Sequence, residues 1–141
     1  MRKFIPSILS VVVVWSTAAA TTTYSIPQEK LDSHRVYWGD PAAFGKAGEV
    51  DFDALLRETD EYREIKQKKV ERGTGKYWIL LSKASERALR AMAQYGQDSE
   101  YDLLTAMDYL NEVEPAIPVD DITDDVIAAM NGESKKSDAN N

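Results

Sequence analysis

The chain has 141 residues, of which 17 are basic and 24 acidic, so it carries a net charge of −7, with one histidine and no cysteine. That length suffices for one domain with a modest core. Without cysteine no disulfide framework can form, and the acidic balance repels nucleic acid and argues against a DNA- or RNA-binding role.

Residues 1–20 have the layout of a secretory signal peptide. Met1-Arg2-Lys3 is a basic head, Phe4 to Trp15 is an apolar run, and Ser16 to Ala20 is a small-residue stretch ending Ala18-Ala19-Ala20. This A-x-A pattern predicts export, with cleavage after about Ala20. The apolar run is well short of the roughly 20 residues that a membrane span needs. Without Arg2 and Lys3 the chain keeps 15 basic residues against 24 acidic ones, a net charge of −9. Such a protein must hold together by packing or by oligomerisation.

Residues 21–46 read as an irregular lead-in. Pro27, Gly39, Pro41 and Gly45 break any long element, while Arg35-Val36-Tyr37-Trp38 predicts a short strand. His34 stands alone, without an HxH or HxxxH partner, and is expected in solvent rather than on a metal. Next, Glu49-Val50-Asp51-Phe52 opens the structured domain, expected over 47–132. Asp51 or Asp53 can cap a helix at about 53–72 whose apolar positions include Phe52, Leu55, Leu56, Tyr62, Ile65 and Val70.

The stretch Val70 to Ser82, VERGTGKYWILLS, poses a choice between a phosphate-binding loop and a turn. A Walker loop needs Gly, four residues and then Gly-Lys-Ser/Thr between a buried strand and a helix. Here Tyr77 stands where the magnesium-binding hydroxyl belongs, and a lysine-rich helix precedes the glycines. The turn is the better reading. Beyond it, Tyr77, Leu81, Ala84, Ala88, Ala91, Met92 and Tyr95 form a helical stripe that stays in phase across Ser82, and Gly96 follows where a helix C-cap belongs. Two helices joined by Arg72-Gly73-Thr74-Gly75 predict an antiparallel hairpin over about 53–95. Lys66, Lys68, Lys69, Arg72 and Lys76 gather at its tip, and Trp38 and Trp78 are expected to pack in a core.

Tyr101 to Leu110 fits either a strand or a helix. Pro115 and Pro118 end it, and Asp124 to Met130 predicts a short helix stopped by Asn131-Gly132. Asp120, Asp121, Asp124 and Asp125 lack the alternate spacing, central glycine and twelfth-position glutamate of a calcium loop, so they are read as helix-start residues. Ser134 to Asn141 holds Lys, Ser, Asp and Asn with a single Ala, and residues 133–141 are expected as a disordered tail. The eleven acidic residues between Asp98 and Glu133 have no basic residue among them, so the charge is segregated along the chain. No catalytic, cofactor or metal set emerges. The fold class expected is α+β, mainly helical: a helical hairpin on a small β body with a short C-terminal helix.

Several of these residues carry a family resemblance. Glu49-Val50-Asp51 opening a helix, the hairpin, Glu100-Tyr101-Asp102-Leu103-Leu104, and the closing Asp121-Ile122-Thr123-Asp124-Asp125-Val126-Ile127 together resemble the OmpH/Skp family of periplasmic chaperones. The likeness covers roughly residues 47–132, with its most specific part in the last thirty or so. It implies a β body that trimerises, with helical arms that surround unfolded outer-membrane proteins, in the periplasm. It also implies that Tyr101 to Tyr109 is a body strand and that Val50 ends another. Lys66, Lys68, Lys69, Arg72 and Lys76 would then form a basic arm tip meeting client or an anionic membrane surface. This chain departs from the family in having shorter arms and an acidic charge. A structural or adaptor protein of the same fold, without holdase activity, is the alternative. A small glycan-acting enzyme would need a cleft with two convergent carboxylates.

Overall fold

The computed structural model describes residues 21–113 and 115–139, with side chains up to Glu133. The expected signal peptide lies outside the described residues. The fold is α+β and mainly helical. Four strands, β1 (Val36–Gly39), β2 (Ala47–Val50), β3 (Leu103–Ala106) and β4 (Val119–Asp121), form one sheet in the order β1-β3-β2-β4. β2 runs parallel to both β3 and β4, and β1 runs antiparallel to β3. A parallel β2–β3 pair needs a long crossover. The helices between them supply it.

Neighbouring residues of a strand face opposite sides of the sheet, and both sides here are covered. Leu104 and Val50 join Leu55, Ala88, Met92, Ile122 and Val126 beneath the helices. Leu103 and Ala47 join Ile26, Phe44, Leu110 and Ile117 on the other face. The segment expected as an irregular lead-in therefore contributes an edge strand and two core side chains. Tyr24 and Phe44 exchange backbone hydrogen bonds of 2.7 and 3.0 Å, which folds it back on itself. Strand β3 is buried along Leu103, Leu104 and Thr105. It ends at Ala106, and the left-handed backbone of Asp108 (φ 63°) then turns the chain into a short helix, α4 (Tyr109–Glu112). The stretch open to either reading thus contains a strand followed by a helical turn.

The continuous helix expected at about 53–72 is instead two. In α1 (Phe52–Arg57) the Asp51 side chain accepts a hydrogen bond from the Ala54 amide at 3.1 Å, as a helix-capping residue does. The buried Thr59 then divides the helix. Its hydroxyl donates to the Leu56 carbonyl (2.7 Å) and accepts from the Tyr62 amide (3.2 Å), closing α1 and opening α2 (Asp60–Gln67) with one side chain. Apolar spacing passes straight through such a site, because a cap changes the backbone path rather than the periodicity.

α3 (Gly75–Asp98) is 24 residues long, or about 36 Å. Its core-facing residues Ala88, Ala91 and Met92 lie in its second half, and its first half pairs with α2 away from the sheet. The expected stop at Gly96 does not occur. Gly96 is a buried helical residue against which the Trp38 indole packs, and a Cβ there would sit 2.4 Å from Trp38 Cδ2. It is glycine because the indole is close, not because the helix ends. α5 (Thr123–Ala139) likewise runs past Gly132, which is not left-handed, and continues through residues expected in a disordered tail. Residues such as Glu133, Lys135 and Lys136 are good helix formers once the chain is already helical.

Candidate functional site

The hairpin apex is built from two complementary helix ends. α2 closes with the Val70 amide donating to the Ile65 carbonyl (3.0 Å) and the Lys69 amide to the Lys66 carbonyl (3.4 Å). This is a Schellman arrangement, and Lys69 occupies its left-handed position (φ 49°) where glycine is usual. Gly73 supplies a second left-handed residue (φ 88°). Thr74 then starts α3 by accepting from the Tyr77 amide at 3.2 Å. A Cβ on Gly73 or Gly75 would meet nothing within 4 Å, so these glycines wrap no ligand-sized hollow. The GTGK segment is a turn.

All five residues expected at the tip lie there and are exposed: Lys66, Lys68, Lys69, Arg72 and Lys76. Glu64 partly neutralises them, lying 3.0 Å from Lys68 Nζ and 3.7 Å from Lys76 Nζ. The hydrogen bond from Lys68, with the nearby positive charges, holds the Glu64 carboxyl below the usual carboxylate range despite some desolvation. Lys66 lies 5.9 Å above the Tyr62 ring. Lys69 and Arg72 have no ion-pair partner among the described residues. Between α2 and the start of α3 is an open groove of about 320 Å³, with Tyr62, Ile65, Val70 and Tyr77 offering apolar surface beside Lys66, Lys69 and Arg72. Such a groove suits a ligand that is both apolar and anionic.

One further apex residue differs from the sequence expectation. Trp78 was expected to pack in a core, but it and Ile79 are each 58% exposed. Successive helix residues are separated by about 100°, so the buried stripe through Leu80, Ala84 and Ala88, with Tyr77 and Leu81 half-buried at its side, leaves positions 78 and 79 facing outward. The phase of that stripe was the available signal. Tyr77 supports Trp78 edge-on, with ring centroids 5.4 Å apart. Trp38, by contrast, does pack inside, over Gly96.

A second concave region lies between α2, α3 and α5, a cleft of about 390 Å³ with alternating charges from Glu61, Lys83, Glu86, Arg87, Arg90 and Glu133. Arg87 grips Glu61 with bonds of 2.8 and 2.9 Å. Desolvation pushes the Glu61 carboxyl up, but the Arg87 hydrogen bonds and nearby charges outweigh it and hold the group below its ordinary value. His34 is exposed, with only its backbone amide bonded to Asp32. Among the described residues no three His, Asp or Glu side chains group to hold a metal ion, and no helix is long and apolar enough to cross a membrane.

At the other end of α3 the polarity reverses. Asp98, Glu100, Asp102 and Asp120 gather there, with Tyr101 donating to Asp120 (3.0 Å) and Lys46 paired to Glu100 and lying 4.8 Å from the Tyr101 ring centroid. Comparison with known protein families, curated proteins and solved structures gives no match to the chain.

Proposed function

We propose that this is an exported, non-enzymatic binding protein of OmpH/Skp-like type, acting in the periplasm on unfolded or envelope proteins through its hairpin apex. One observation carries the reading: a helical pair projects from a small sheet and ends in exposed cations beside exposed apolar side chains. Such an end can hold extended chains that are partly apolar and partly acidic. The order of elements supports the resemblance, with β2 leading into the hairpin, β3 and β4 following, and the Asp-Ile-Thr segment entering the last helix. The charged cleft does not favour hydrolysis, because Arg87 keeps Glu61 ionised whereas a general acid needs a raised pKa. β1 and β4 are the sheet's edges, and the proposed oligomer, a trimer in the family resembled, would form through shared strands there.

The test dilutes a denatured outer-membrane barrel protein with and without this protein and follows light scattering. Suppression at several-fold molar excess is the expected result, weakened in a Lys68→Glu, Lys69→Glu, Arg72→Glu variant. A second reading, a structural or adaptor protein without holdase activity, is favoured by the shortness of α2. Its eight residues span about 12 Å and enclose little. Unchanged scattering together with a stable oligomer would select that alternative.

A further inference from the structure

We infer that the amino terminus created by leader cleavage docks on the body: the α-ammonium of Thr21 pairs with the Asp102 carboxylate, beside Asp40. The inference rests on the export reading, in which residues 1–20 are removed, and it gives an occupant to a cleft near the acidic end of α3. That cleft has a volume of about 520 Å³ and is lined by Trp38, Asp40, Phe44 and Asp102 together with Thr21 and Thr23. The antiparallel register Gly39↔Leu103 brings Asp40 and Asp102 to the same end of the β1–β3 pair. Like charges so placed repel unless a cation stands near them. None of the described residues lining the cleft is basic. Lys46, whose backbone amide bonds to Asp102, has its ammonium paired with Glu100.

Asp102 is fixed on one side and open on the other. Its Oδ2 accepts from the Gly45 and Lys46 amides at 2.9 and 3.1 Å. Its Oδ1 has no hydrogen-bond partner, and neither Asp40 nor Asp102 has an ion pair, among the described residues. Thr21 is already close. Asp102 Oδ2 and Thr21 Cγ2 lie 3.0 and 3.8 Å from the point where a Cβ on Gly45 would sit. Three residues on, Tyr24 exchanges backbone hydrogen bonds with Phe44, and Ile26 is buried in the core. A tether of three residues reaches at most about 10 Å, so residue 21 stays near the carboxylates. In the precursor the Thr21 nitrogen is an uncharged amide. Cleavage turns it into a primary ammonium, protonated below about pH 8. The charged groups around it are Asp40 and Asp102, with the Lys46–Glu100 pair next to Asp102. Processing thus fastens the segment that covers the second face of the sheet. The gain is modest, because Asp102 is exposed and salt screens the pair.

The experiment uses the exported protein, expressed with its own leader and recovered from the periplasm. Its intact mass should show Thr21 as the first residue. The α-amine, followed by NMR, should titrate above the ordinary range of about 7.7–8.0. It should return to that range in Asp102→Asn, whose side-chain oxygen still accepts from the Gly45 and Lys46 amides. Periodate gives a second readout. It is reduced to iodate as it cleaves the Cα–Cβ bond of a terminal threonine bearing a free amine, leaving an uncharged glyoxylyl group and releasing acetaldehyde and ammonia. Treatment should lower the melting temperature by about 2–4 °C in the parent and by less than about 1 °C in Asp102→Asn. Thr21→Gly keeps the ammonium without the side chain, so it should melt as the parent and resist periodate. An α-amine titrating in the ordinary range in the parent overturns the proposal, as does an equal loss on treatment in parent and Asp102→Asn. A first residue other than Thr21 overturns it while leaving export standing. A mass that retains residues 1–20 overturns it together with the export reading.

Discussion

Lys69 is where conformation and charge conflict most directly. An L-residue in the left-handed region costs roughly 1–2 kcal/mol relative to its ordinary backbone, and glycine is the usual solution at a Schellman position. The lysine therefore keeps a cation at the apex at the expense of stability. Lys69→Gly should raise the free energy of unfolding by about 1 kcal/mol, measured by urea denaturation, while lowering affinity for acidic partners. Tyr101 gives a pH prediction. Burial, the hydrogen bond to Asp120 and nearby carboxylates push its phenol from 10.0 up to about 12. Between these values the unfolded chain loses the proton and the folded chain retains it, so stability falls as pH rises from about 10 toward 12. Tyr101→Phe should flatten that part of the alkaline unfolding profile, leaving the smaller upward shifts of Tyr37 and Tyr95. An unchanged profile would remove Tyr101 as its cause.

Among the elements, the stripe from Tyr77 to Tyr95 made α3 legible because it has one buried face with helical spacing throughout. The Thr59 break was not legible, since its evidence is a pair of hydrogen bonds from one hydroxyl rather than a change of period. The same holds for Gly96, whose role depends on Trp38, 58 residues earlier in the chain. Strand β1 was legible only as a short run, and its antiparallel place beside β3 is a tertiary fact. Two substitutions follow from these contacts. Thr59→Ala removes the cap shared by α1 and α2 and should cost about 1–2 kcal/mol in equilibrium unfolding. Gly96→Ala should gain some helix propensity but lose more by forcing the Trp38 indole aside, a net cost of about 1–3 kcal/mol. A more stable Gly96→Ala protein would show that the indole can move freely.

For the molecule as a whole, the sequence located all five tip cations because charge runs survive folding: residues close in sequence at a turn remain close in space. It misplaced Trp78, although that residue lies out of phase with the buried stripe of α3 and is exposed. The resulting particle has an acidic body and a basic, apolar apex at opposite ends of one helix. The binding reading requires client contact at that apex. Hydrogen–deuterium exchange on the full chain tests this most directly, comparing the free protein with the protein saturated by an unfolded barrel protein. The account predicts slowed exchange concentrated in residues 66–79, with the amides of β2 and β3 unchanged. Protection confined to the sheet or to the acidic end, with residues 66–79 exchanging as in the free protein, would contradict it.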